Sequence, residues 1–130
     1  MNRKALTILA IVVVLATAAI VGVAVATQGR SGDAACAKTG SNHAVTINNG
    51  RATPALTRGK LCDTLTITNN DSRDREIAFG PHEDHVPYDG VSERLLRHGQ
   101  SLQITMDRPG TYRFHDHIHD DSIGKFTVTK

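Results

Sequence analysis

The chain has 130 residues, enough for one modest domain with extras, and its formal charge of +2 is set by the N-terminal end. Without Arg3, Lys4 and Arg30 there remain 12 basic against 13 acidic residues, a net of −1, which excludes the clustered basic surplus of a nucleic-acid footprint. With no Trp and 4% aromatic residues, no stacking platform for bases is present either.

Arg3 and Lys4 precede a charge-free apolar run from Ala5 to Ala26. The run is about long enough to cross a bilayer, which takes roughly 20 residues. A signal anchor with its basic end in the cytoplasm fits it. So does a cleaved signal peptide, for which Ala24-Val25-Ala26 offers a small-residue cleavage site. The run is long for a signal peptide, which favours the anchor. A lipoprotein signal is excluded, because Asp33-Ala34-Ala35 before Cys36 is not apolar-small-small. Either way the C-terminal part is expected outside the cytoplasm: on a single-pass cell-membrane protein, or secreted if the signal is cleaved. Residues 1–27 are therefore set aside as anchor or signal helix, 28–35 as a polar linker, and 36–130 as the domain.

Cys36 and Cys62 are the only cysteines. Outside the cytoplasm a lone pair is expected as a disulfide, stabilising by about 3 kcal/mol in the chain-entropy model. Metal ligation by the two thiols is the alternative.

From Cys36 onward short alternating segments are separated by turn residues, and no helical period appears. His43–Ile47 alternates and ends at Asn48-Asn49-Gly50. Ala52–Leu56, with Pro54, reads as an irregular edge segment, and Thr57–Lys60 as a turn. Leu61–Thr68 alternates, with Leu61, Asp63, Leu65 and Ile67 on one face. Arg75–Phe79 is a short strand. Gly80–Gly99 is a long connection holding His82, His85 and His98. Ser101–Met106 alternates and turns at Pro109-Gly110. Tyr112 and Phe114 then share a face with Asp116, while Arg113, His115 and His117 share the other. Lys125–Thr129 closes the chain. The pattern predicts an all-β, antiparallel sandwich.

The chemistry concentrates between Pro109 and Val128. His115, His117 and His119 stand there with Asp116, Asp120 and Asp121. Imidazole and carboxylate are the usual nitrogen and oxygen ligands of first-row transition metals. His82 and His85, at i,i+3 in a Gly/Pro-flanked loop, are the second candidate pair. The plainer reading of both pairs is a set of solvated polar residues. His43 and His98 stand apart as surface residues. Tyr112 and Phe114 read as core. Tyr88 reads as a loop anchor, or as a cap on the site.

Three stretches carry a resemblance. Cys62-Asp-Thr-Leu-Thr-Ile-Thr-Asn-Asn-Asp71, Gly99-Gln-Ser-Leu with Pro109-Gly-Thr-Tyr-Arg-Phe114, and Asp116-His-Ile-His119 followed by Gly124-Lys-Phe-Thr-Val128 resemble a cupredoxin, the Greek-key copper-binding sandwich, over about Cys36–Lys130. Ala78-Phe-Gly-Pro-His82, with His85 and the His115-Asp-His117 stretch, resembles a bacterial membrane-anchored cupredoxin-like group described as copper-binding. The departures are specific. Against G-x-Y-x-F-x-C-x-x-H, Asp116 takes the Cys position and His119 the His position. The axial Met has no counterpart, and Arg75 stands near the place of the first His. A blue thiolate centre cannot form there. An Arg75–Asp116 ion pair in its place is one expectation. A non-blue site drawn from His82, His85, His115, His117 and His119 is the other, with copper as the implied ion and zinc as an alternative.

The leading expectation is thus a membrane-tethered, extracytoplasmic copper-binding domain for capture, delivery or redox, with a redox or copper-transfer protein as partner. The competing one is a metal-free cell-surface interaction module on the same scaffold. An enzyme ranks last: His82-Glu-Asp-His85 is one residue short of H-E-x-x-H and lies in a loop, and no G-x-S-x-G is present.

Overall fold

The computed structural model describes Cys36 and residues 40–130; the expected anchor over 1–27 and linker over 28–35 lie outside the described residues. Among the described residues the elements are nine strands: β1 (Asn42–Asn48), β2 (Arg51–Thr53), β3 (Leu56–Lys60), β4 (Thr64–Asn69), β5 (Arg75–Phe79), β6 (Glu93–Leu96), β7 (Ser101–Thr105), β8 (Gly110–Asp116) and β9 (Asp121–Thr129). They form two sheets, ordered β2-β1-β4-β7 and β3-β9-β8-β5-β6. The sandwich is as expected, but it is not purely antiparallel: β1 runs parallel to β4, and β3 parallel to β9. Each of these partners is separated in sequence by strands of the other sheet, so the chain crosses between layers before pairing.

Alternation builds the core. β4 places Leu65 and Ile67 inward at zero exposure while its threonines face out. Val45, Ile77, Phe114 and Phe126 meet them from neighbouring strands, and Tyr88 and Tyr112 pack against each other with ring centroids 4.5 Å apart. Tyr88 is 1% exposed, which makes it a loop anchor rather than a cap. Asn49 and Gly50 take positive φ in the two-residue turn between β1 and β2, as an Asn-Gly hairpin requires.

Two local expectations are corrected. Thr57–Lys60 is not a turn but most of β3, paired with Phe126–Thr129 of β9. The glycine that suggested a turn is needed for packing: a Cβ on Gly59 would collide with the Met106 sulfur. The connection after Gly80 is not continuous either, because Glu93–Leu96 adds edge strand β6 against β5. Three of its four residues are exposed, so it carries no alternation to read. The Cys36–Cys62 disulfide is formed, with Cα atoms 5.0 Å apart.

Candidate metal centre

Strand β8 serves both of its faces. Phe114 and Asp116 point into the sandwich, and Arg113 and His115 point outward. His115 lies in register with Ala78 of β5, and Ala78 with Glu93 of β6. Ala78 alternates with the core residues Ile77 and Phe79, so it belongs to the outer face, yet it is fully buried. The segment after β5 folds back over it.

Gly80 makes that fold-back possible. Its φ is +87°, and a Cβ there would lie 2.8 Å from the Val86 nitrogen. The Val86 N–H donates to the Phe79 carbonyl, and the Asp84 N–H to the Pro81 carbonyl. This compact turn delivers His82 and His85 onto the outer face of β8. The end of β8 is held in turn by the His117 N–H, which donates to the Glu76 carbonyl at 2.8 Å.

Four imidazoles converge as a result. Ring centroids are 5.3 Å apart for His82–His115, 5.2 Å for His115–His85, 4.7 Å for His85–His117 and 4.8 Å for His117–His82. The diagonals are 6.4 Å for His82–His85 and 6.3 Å for His115–His117. A flat square of that side would have diagonals of about 7 Å and a regular tetrahedron about 5 Å, so the rings form a puckered square. Every loop histidine has a β8-side histidine on each flank.

Three ring nitrogens of the cluster are left without partners. His85 Nε2, His115 Nε2 and His117 Nδ1 are buried without a hydrogen-bond partner. Unpartnered buried polar atoms are rare and costly. One donor atom each from His82, His115 and His117 lies within 4.8 Å of the others, and the same holds for His85, Glu93 and His117. Two imidazole nitrogens on one ion can be at most about 4.2 Å apart, so small ring rotations close the all-histidine set. Burial, then the neighbouring His85 and His82, hold the His115 pKa below the ordinary histidine value, which keeps its lone pair available.

Glu93 orients the set. Its carboxylate lies 2.6 Å from His85 Nδ1, which leaves Nε2 as the free donor toward the cluster. Nothing in the sequence marks Glu93, because its partner is eight residues away and on an unrecognised strand. His82 is the open corner, with its side chain 42% exposed and Nδ1 3.4 Å from Asp120.

The other sequence candidates lie across β8. His119 belongs to neither donor set; its Nδ1 is 2.7 Å from Asp116 Oδ2. Arg75 donates to the same carboxylate at 2.8 Å and to Asp71 at 2.9 Å, with Asp116 at zero exposure. Burial would raise the Asp116 pKa, but Arg75, His119 and the N–H groups of Glu76 and Ile118 outweigh it and hold it below the ordinary carboxylate value. The ion pair and the convergent histidines, expected as alternatives, are both present, back to back on one strand. His43 pairs with Asp63 at 2.8 Å, and His98 Nδ1 is 3.0 Å from the Asp71 carbonyl.

No protein-family profile matches the chain, and no curated protein does. Solved structures do. A purple cupredoxin from Nitrosopumilus maritimus aligns at TM-score 0.57 and 18% identity, over 66% of this chain and 98% of that one. A reduced amicyanin variant aligns at TM-score 0.56 and 21% identity, over 71% and 85%, and an oxidised one at 0.54 and 22%, over 65% and 79%. The domain has the cupredoxin fold.

Proposed function

We propose that the domain holds one copper ion, as Cu(II), on His82, His85, His115 and His117, in a non-blue centre. The observation that carries this reading is the set of three buried, unpartnered nitrogens within a four-imidazole cluster. The donor set contains no sulfur, so it favours Cu(II) over Cu(I), with Zn(II) the competing ion. When bound, the ion supplies a Lewis-acidic, redox-active centre without the fast electron transfer of a thiolate site. The chain's own residues fix the donors: Glu93 sets the His85 tautomer, Gly80 seats the loop, and Ala78 leaves room for the rings.

This centre suits copper capture, delivery or slow redox on the extracytoplasmic side. The Ala5–Ala26 run supports tethering to the cell membrane, and a copper-transfer or redox protein is the partner such a role requires. The metal-free interaction module draws on one observation, the Arg75–Asp116 pair. That pair lies on the opposite face of β8 and does not compete for the histidines.

The test is a Cu(II) and Zn(II) titration of the protein beside a His82→Ala, His117→Ala variant, followed by electron paramagnetic resonance. One tight Cu(II) per chain with nitrogen hyperfine structure, lost in the variant, is expected. Weak, non-stoichiometric binding that survives the substitutions would leave the interaction module as the function.

A further inference from the structure

The outer face of the larger sheet is unevenly charged. Arg58 and Lys60 on β3, Lys125 on β9 and Arg113 on β8 are all exposed there, and none has a carboxylate partner among the described residues. Arg113 and Lys125 stand directly opposite each other in register. Like charges so placed are destabilising on their own. The β3-β9-β8 part of this face thus keeps four cations with no carboxylate partner among the described residues, and their row ends beside His115, two residues from Arg113.

The join is a hollow of about 160 Å³ lined by Gly80, Pro81, His82, Arg113, His115 and Asp120, with Phe114. It is lined by two of the four clustered histidines, His115 and the exposed corner His82, and by the Arg113 guanidinium, which has no carboxylate partner among the described residues. On the opposite side of the cluster, Glu93 occupies His85. The side toward Arg113 is therefore where a further ligand can approach.

Resting on the copper reading above, we infer that the centre has an exchangeable position on its Arg113 side, and that this position takes a small anion, of the size of formate, azide or bicarbonate. The Arg113 guanidinium holds the anion by charge-assisted hydrogen bonds. Lys125, Arg58 and Lys60 raise the local concentration of anions along the sheet. Asp120 is the built-in competitor: its carboxylate sits in the hollow 3.4 Å from His82 Nδ1, and its side chain is 80% exposed and free to swing out.

The full-length protein in detergent, loaded with Cu(II), is titrated with azide and with formate. Cu(II) electron paramagnetic resonance and visible absorption report the change at the ion. Both anions perturb the spectrum saturably in the unaltered protein. Arg113→Gln weakens anion binding roughly tenfold with copper stoichiometry unchanged, as loss of a charge-assisted hydrogen bond requires. Arg58→Gln, on the same face but outside the hollow, changes it by less than about twofold. Asp120→Asn tightens it. Stoichiometric copper with spectra insensitive to both anions, or equal anion affinity in Arg113→Gln and the unaltered protein, overturns the inference. Failure to load copper overturns the reading beneath it, a separate outcome seen before any anion is added.

Discussion

Arg75 is 5% exposed and held between two carboxylates, Asp71 and Asp116. Replacing it by Met removes the cation and leaves both acids buried. Loss of one partner from such a set costs about 3–5 kcal/mol. Arg75→Met is therefore expected to lower the urea unfolding midpoint by that equivalent, and a change under about 1 kcal/mol would show that water already screens the pair. Arg75 and Asp116 were legible in the sequence because each stands near a position where the resembled fold keeps a metal ligand. Asp71 was not. It lies in a run of polar loop residues, and only the fold shows it accepting from the Asn49 and Gly50 N–H groups across the β1–β2 turn. His119 shows the limit of a positional match: it occupies a ligand position but spends its Nδ1 on Asp116.

At the level of elements, the candidate centre is half strand and half loop. The strand half was legible, since a period of two assigns His115 and His117 to the face opposite Phe114 and Asp116 without any structure. The loop half was not, because no local rule says where a Gly-Pro turn will lean. Gly80 decides it. A side chain at φ +87° against the Val86 nitrogen costs about 1–3 kcal/mol, and the loop can relieve that strain by lifting off β8. Gly80→Ala is expected to weaken Cu(II) binding roughly 10- to 100-fold while the core strands keep their amide-exchange protection. Unchanged copper affinity would mean that the loop histidines are dispensable. Strand β3 is not legible for the reverse reason: its glycine serves interlayer packing, whereas a glycine between short strands reads as a turn.

On the scale of the whole molecule, buried carboxylates tie the layers together. Hydrogen bonds from the Lys60 N–H and from His43 keep the Asp63 pKa low. For Asp71, burial pushes upward, but the Gly50 and Asn49 N–H groups and Arg75 prevail, and it too is lowered, as is Asp116. A carboxylate whose folded pKa is depressed contributes stability above its unfolded value of about 3.9 and loses it as pH falls through the folded value. The lowered His115 pKa acts in the same direction from about pH 6.5 downward, because the unfolded chain takes up that proton first. The metal-free protein should thus hold a level urea midpoint above about pH 7, lose a little on acidification toward 5, and fall steeply below about 4. A midpoint that stays level to pH 3 would contradict these assignments. The paired tyrosines of the core have a practical consequence. With no Trp in the chain, ultraviolet emission is dominated by Tyr88 and Tyr112, one on the segment that follows His85 and the other on the strand that carries His115. The protein therefore carries its own fluorophore on both halves of the candidate centre, and paramagnetic quenching would report, in real time and without a label, whether added Cu(II) reaches it.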